Sequence, residues 1–502
     1  MQKADALQKV WGKDVNSLIL SLIIATIPAL AEQGSNFNVS PETAQSYGCG
    51  AMCYQILQTT NALDLADVGS DFDFDFYEVA DNFTTSKPGD LLKLKPVDPT
   101  TLKDISGVSV YRIQYVSEDL NGTYVPATGF IALPYSLPDT GAFPLVAYAH
   151  GTIGTYHGCA VSNGPDLYDY NSWTLLSERG YAVVATDYAG LGPSTPPHKY
   201  CAFPAHAADI FHSVRAARTA FGRYLTRRWL AVGHSQGGGA VWKLAEDIDA
   251  LALTTRTHDH PRDHRARARL RDLRGYRGAV ALAPATKVWD MALLAEQLVF
   301  PREDMHAWAV AGLAPLLGPA VRSVYPQFNV SSVLAPAMVR RLGLVEEAGL
   351  CVSGVLGLTL DLDAEELVAP SAGMAAGDRE VVERWQREMA PAMGGAGEKG
   401  GKKRARGPIL VVQGVNDTAI LAEQTVRSWR DACEGGSEVH LRLYPKQDHS
   451  GVVVAAAPDW LRWVEARFAG VHTPGRCTKV TKRPFDYDFV RAELEVDPSA
   501  LE

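Results

Sequence analysis

From about Val110 onward the apolar positions switch period in a regular way. Strand-like runs (VYRIQYV, ATGFIALP, FPLVAYAH, YAVVATDY, WLAVGHS) are interleaved with segments of helical spacing, SWTLLSERG and AHAADIFHSVRAARTAFGRYL. The first two runs predict neighbouring paired strands. Short apolar strands bounded by Gly and Pro and separated by helices predict an α/β fold, a mostly parallel sheet with helices on both faces. After Ser235 the order continues with the helix VWKLAEDI and the strand GAVALAPA, and much later with PILVVQGVND, EVHLRLYP and the helix DWLRWVEARF.

Between Thr286 and Gly407 the alternation stops. This stretch is rich in Leu, Ala, Val and Met, carries helical patterns (WDMALLAEQL, HAWAVAGLAPLL, EVVERWQREM) and ends in GGAGEKGGKKRARG. A helical insertion with a flexible tether, residues 286–407, is therefore expected to split a core made of residues 32–285 and 408–502. Two smaller features lie elsewhere. The basic run RTHDHPRDHRARARLRDLRGYRG reads as a solvated surface loop, its arginines mixed with Asp and Pro. DFDFDF, Asp71 to Phe76, alternates with period two and reads as an edge strand with its acids on one side; it lacks the glycine and ligand spacing of a known calcium loop.

A formal charge of −9 and a pI near 5.8 leave no basic footprint, so nucleic acid is not an expected partner. Residues 1–31 place Lys3, Lys9 and Lys13 before an apolar run that closes on Ala29-Leu30-Ala31. This pattern predicts a secretory signal cut before Glu32, although Asp5 and Asp14 interrupt its basic part. The run is shorter than the roughly 18 to 20 residues of a membrane span. Seven cysteines suit an oxidising, extracellular compartment, and the odd count leaves at least one unpaired. Asn-x-Ser/Thr acceptors for glycans occur at Asn38, Asn82, Asn121 and Asn329, and again at Asn416, where a glycan would collide with the site described next.

The chemistry gathers around GHSQG, Gly233 to Gly237. A Gly-x-Ser-x-Gly match is short enough that about 0.2 would arise by accident in a chain of this composition, so its setting decides. WLAV before it and GGAVWKLA after it give the strand, sharp turn and helix that a nucleophile elbow requires. A serine hydroxyl is a weak nucleophile and needs a base, which in turn needs an acid to fix its tautomer. In the order Ser, acid, His, the candidates are Asp417 after PILVVQG and His449 after EVHLRLYP, both at carboxyl ends of strands. Asp448, next to His449, is the rival acid; Asp417 is preferred because a strand-end loop can approach Nδ1. The oxyanion donors are expected to be the amides of Gln236 and, after FPLVAYAHG, of Thr152 in preference to Gly151. DYAGLG, Asp187 to Gly192, either lines the pocket or packs beneath the elbow.

With these parts in view, the chain resembles the secretory lipase family of fungi and bacteria, the lipase A-like group of the α/β-hydrolase superfamily. The resemblance runs from about Phe76 and rests on FYEVADNFTTSKPGDLLKLKPV, YRIQYVSEDLNGTYVPATGFIALP, HGT with Cys159 a few residues on, GYAVVATDYAGLG, GHSQGG and the late Asp417 and His449. It implies an α/β-hydrolase fold with a large helical lid and a Ser235-Asp417-His449 triad. It also implies carboxylic ester hydrolysis, and disulfides Cys433–Cys477 and Cys159–Cys351. The basic insert after the elbow helix and the glycine-lysine tether depart from the family and bear on lid shape.

The expectation is thus a secreted serine ester hydrolase without a metal or organic cofactor, acting on a lipid or other small acyl ester and meeting a lipid–water interface through its lid. The lid itself reads equally as a moving gate or a fixed cap. The same triad also suits acyl transfer, an acylated secondary metabolite or a peptide, because the pocket and not the triad selects the partner. A non-catalytic binding module commonly lacks a triad member, and this chain keeps all three. Oligomeric state is not encoded in any of these features.

Overall fold

The computed structural model describes residues 39–253, 264–394 and 404–490. The expected signal segment 1–31, Asn38 and most of the glycine-lysine tether lie outside them. Ten strands form one sheet. They are β1 (Leu91–Pro96), β2 (Val108–Glu118), β3 (Tyr124–Pro134), β4 (Phe143–Ala149), β5 (Ala182–Thr186), β6 (Leu225–His234), β7 (Tyr276–Leu282), β8 (Ile409–Gly414), β9 (Val439–Tyr444) and β10 (Thr478–Thr481). Their order is β1-β2-β3-β5-β4-β6-β7-β8-β9-β10. The pairs from β1 to β5 are antiparallel, β2 and β3 matching over Val108↔Pro134 to Glu118↔Tyr124, and every pair from β5 to β10 is parallel.

The central strands are mostly apolar because both faces are covered. Successive side chains alternate between faces. Leu145, Ala147, Ala231, Ala279, Ala281 and Val411 join one core with Trp229 and Trp242. Their neighbours Val146, Tyr148, Val232, Val280, Leu282 and Val412 join a second core with Trp173 and Trp460. Helices α1 (Ala51–Val68), α2 (Phe203–Phe221) and α3 (Gln236–Leu253) supply the first cover, and a helix from Ala457 to Ala469 supplies much of the second.

Between β7 and β8 the described chain forms helices and no strand of the sheet. Val288–Leu298 and Ala376–Met389 are the longest, and Pro315 breaks the stretch HAWAVAGLAPLL into the short helices Ala309–Gly312 and Leu317–Val324. Asp64 of α1 is fully buried and accepts N–H from Cys351, Ser353 and Gly354, tying α1 to this insertion. Cys159–Cys351 makes a second tie to the insertion, and Cys433–Cys477 joins the helix Ala422–Glu434, between β8 and β9, to the approach of β10, the two pairings the resemblance implies. A third bridge, Cys49–Cys53, was not anticipated, and the remaining Cys201 is a buried free thiol.

Two sequence expectations fail. DFDFDF is not an edge strand: Phe74–Tyr77 is a helical turn whose cap, Asp73, accepts the Phe76 N–H and pairs with Lys95 and Arg112. A capping carboxylate with a buried aromatic pair, Phe76 and Tyr77, outweighs the period-two pattern. The basic run is likewise not all loop, since His264–Gly275 is helical and its end leads into β7. There Leu273 is buried, and Asp272 is buried with Arg218 Nε 2.8 Å away, while its carbonyl accepts the Trp229 indole N–H. Ala and Arg are strong helix formers, and Leu270 and Leu273 packed against the core seat the segment.

Candidate active site

Ser235 sits one residue beyond β6, where β6 ends beside β4 at Ala149↔Gly233 and beside β7 at His234↔Leu282. Its φ is 56°, a left-handed conformation that costs a non-glycine residue about 1–3 kcal/mol. Backbone bonds hold it there. The Ser235 N–H donates to Leu282 O, and Ser235 O accepts from Gly239 and Ala285 N–H, all within 3.1 Å. The two motif glycines are forced by contact: a Cβ on Gly237 would lie 1.9 Å from Ala149 O, and one on Gly233 would lie 2.2 Å from Gly237 O. Behind the turn, Gln236 begins α3, so its N–H belongs to the unpaired first turn of that helix.

Asp417 lies three residues past β8 and is buried. Its Oδ1 accepts N–H from Ala419 and Ile420, and its Oδ2 accepts from Gln413 Nε2 at 2.9 Å and from His449 Nδ1 at 2.8 Å. Gln413 is itself set by Thr425, whose hydroxyl donates to Gln413 Oε1 at 2.7 Å. With Nδ1 donating to the carboxylate, the neutral His449 ring leaves Nε2 as a lone pair able to take a proton. The rival Asp448 instead accepts the Gly451 N–H at 2.6 Å and closes its own loop.

Thr152 follows β4. Its carbonyl accepts from Tyr168 Oη at 2.9 Å and its hydroxyl bonds Tyr200 Oη at 3.0 Å, while a Cβ on neighbouring Gly151 would lie 3.3 Å from Ser235 Cβ. The Gly151-Thr152 segment therefore passes directly beside the serine. DYAGLG packs beneath this segment and lines neither cavity described below. The Asp187 carboxylate accepts from Ser162 N–H, Ser162 Oγ and Thr128 Oγ1, and Tyr188 Oη donates to His150 O. Burial lifts the Asp187 carboxyl to about 6. Asn82, Asn121 and Asn329 are exposed, whereas Asn416 is buried and its side chain accepts the Lys446 N–H.

Two cavities meet at Ser235. One is a narrow apolar crevice of about 80 Å³, with walls that include Trp289, Met291, Phe300 and Ile420. The other is a wider chamber of about 590 Å³ reached by Thr152, Tyr170, Lys446, Asp448 and His449. Leu313 of the helical insertion borders both. Cys201 also borders the crevice, its thiol pushed up to about 12 by burial and so held as the unreactive SH form.

Two contacts were not read from the sequence. His234 Nε2 lies 3.0 Å from His449 O, and His234 Nδ1 lies 2.7 Å from Tyr170 Oη. His234 is inside the motif and could have been questioned; Tyr170 stands in no motif. Among the described residues no group of side chains is arranged to hold a metal ion, and no helix is long and apolar enough to cross a membrane.

No protein-family model and no curated protein matches the sequence. Solved structures do. The closed state of Candida antarctica lipase A aligns with a TM-score of 0.61 at 15% identity, covering 81% of this chain and 89% of that one. The rice cell wall degrading esterase LipA of Xanthomonas oryzae aligns with a TM-score of 0.54 at 16% identity, covering 76% of this chain and 98% of that one. At such identity the likeness concerns architecture. The chain has the lipase-A-like α/β-hydrolase fold, a mostly parallel sheet between helical layers with a helical insertion after its seventh strand.

Proposed function

We propose that this protein is a secreted serine hydrolase of carboxylic esters, working through an acyl-enzyme. The observation that carries the proposal is the Asp417–His449 hydrogen bond at 2.8 Å at strand ends, with His449 and Ser235, the latter held in a left-handed turn, both lining the wider chamber. Ser235 Oγ attacks the acyl carbon while His449 Nε2 takes its proton; the proton then passes to the leaving alcohol, and water repeats the sequence to release the acid. Asp417 holds the ring and stabilises the imidazolium. The amides of Thr152 and Gln236 serve the oxyanion.

In this reading the two cavities divide the substrate between them. The apolar crevice takes the acyl chain and the wider chamber takes the alcohol, with the insertion of residues 286–407 acting as a lid over both. Both structural neighbours carry names of ester hydrolases, which favours this chemistry over peptide cleavage. Three disulfides accord with an extracellular location.

The test is a panel of p-nitrophenyl esters of increasing chain length with Ser235→Ala as control. Hydrolysis by the wild type and none by the variant is expected. A wild type inert on every ester but active on an aminoacyl amide would make it a peptidase. For the lid, a rate jump as a long-chain ester passes from monomer to emulsion is expected; a smooth saturation curve would mean a fixed cap.

A further inference from the structure

We propose that His234, the residue between Gly233 and the candidate nucleophile, is a positioning residue that fixes the place of His449 through its backbone carbonyl. The proposal rests on the triad reading above. His234 is buried, and its ring lies 4.5 Å from that of His449, centroid to centroid.

The proton on each atom of this contact follows from chemistry. A carbonyl oxygen can only accept, so His234 Nε2 carries the hydrogen directed at His449 O, 3.0 Å away. Burial and the adjacent His449 hold the His234 imidazole well below its usual range, which leaves it neutral. Nδ1 is then a lone pair and Tyr170 Oη donates to it at 2.7 Å. Having one proton, Tyr170 in turn accepts from Tyr148 Oη at 3.3 Å. The chain of bonds thus has one direction, Tyr148 to Tyr170 to His234 to His449, and one tautomer of His234 satisfies it.

The strands involved are not neighbours. His234 ends β6 while His449 follows β9, with β7 and β8 between them in the sheet. This bond therefore spans two intervening strands and ties the loop of the base to the elbow of the nucleophile. Asp417 fixes the His449 ring at Nδ1, and His234 fixes the backbone that carries the ring. A neutral neighbour has a further use: when His449 becomes an imidazolium, no second positive charge stands beside it.

The experiment compares His234→Leu, His234→Gln and Tyr170→Phe with the wild type by steady-state ester hydrolysis and by organophosphonate labelling. Leucine fills the space without a donor, and kcat is expected to fall roughly tenfold to a hundredfold with KM within about threefold, the signature of a displaced base rather than lost binding. Glutamine places an amide N–H near the Nε2 position, and kcat is expected to recover to within about fivefold. Tyr170→Phe removes the donor that selects the tautomer and should lower kcat by about threefold to tenfold, again with KM unmoved. If His234→Leu does not fold, the tyrosine variant decides alone. An unchanged kcat in Tyr170→Phe, or a glutamine variant as impaired as a folded leucine variant, would overturn the proposal. Absence of labelling in the wild type would instead remove the triad reading itself.

Discussion

Oδ2 of Asp417 accepts the Nδ1–H of His449 at 2.8 Å, while Ala419, Ile420 and Gln413 occupy the rest of the same carboxylate. Four donors on one buried acid fix both its rotamer and the tautomer of the histidine.

The two adjacent acid candidates should therefore separate under mutation. Asp417→Asn keeps the shape but replaces the oxygen that receives Nδ1–H, and kcat for an ester is expected to drop by about 10³ to 10⁴. Asp448→Asn disturbs only the bond to Gly451 and should retain most activity. Steady-state kinetics on both variants check this; a larger loss in Asp448→Asn would reassign the orienting acid.

The elbow glycines are a steric requirement. Gly237→Ala drives a Cβ into backbone, 1.9 Å from Ala149 O, where no rotamer can relieve it. A destabilisation of about 1–3 kcal/mol or more is expected, read as a lower thermal midpoint. Gly222→Ala is the control: its Cβ position faces open space, with nothing beyond the local backbone within 4 Å, and its φ is −55°, so its midpoint should be unchanged or slightly raised. Equal effects at both positions would contradict the contact argument.

Beneath the Gly151-Thr152 segment lies a stack of buried imidazoles. His198 and His206 are parallel with centroids 5.2 Å apart, and Tyr188 packs on both His150 and His206. Burial lowers His150 and His198 to about 4. Between pH 4 and 6.5 the unfolded chain then binds more protons at these sites than the native one, so their contribution to stability is present above pH 6.5 and is lost as pH falls toward 4. For His198 this amounts to about 3 kcal/mol over that window. Asp187 and Asp209, raised by burial to about 6 and about 7, act with the opposite sign. The difference between variant and wild type isolates the histidine. In urea unfolding across that range, His198→Gln should flatten the rise of stability with pH by about one proton; parallel curves would contradict its buried neutral state.

Much of this was legible in the chain because the burial that builds a parallel sheet also writes long apolar runs. FPLVAYA, AVVAT and ILVVQG are strands buried at nearly every position, and the ends of the first and last mark where Thr152 and Asp417 fall, as the end of β9 does for His449. The turn at Ser235 was readable from Gly233 and Gly237 because only glycine fits there. What escaped were relationships between residues distant in sequence. Nothing in PDLYDYNS connects Tyr170 to His234, and nothing at Asp64 announces the three insertion amides it accepts. Local competition was also invisible. Asp73 captures a backbone N–H and turns an alternating pattern into a helical turn, and Leu270 and Leu273 seat a basic helix that composition assigned to solvent.

The central claim is that Ser235 is the nucleophile of an ester hydrolase. Incubation of the intact chain with a fluorophosphonate, followed by peptide mass spectrometry, tests it directly. A single phosphonyl adduct on the peptide bearing Ser235, loss of ester hydrolysis in step with labelling, and neither labelling nor hydrolysis in Ser235→Ala are the predicted results. Full hydrolytic activity in Ser235→Ala, or an adduct on another serine, would contradict it.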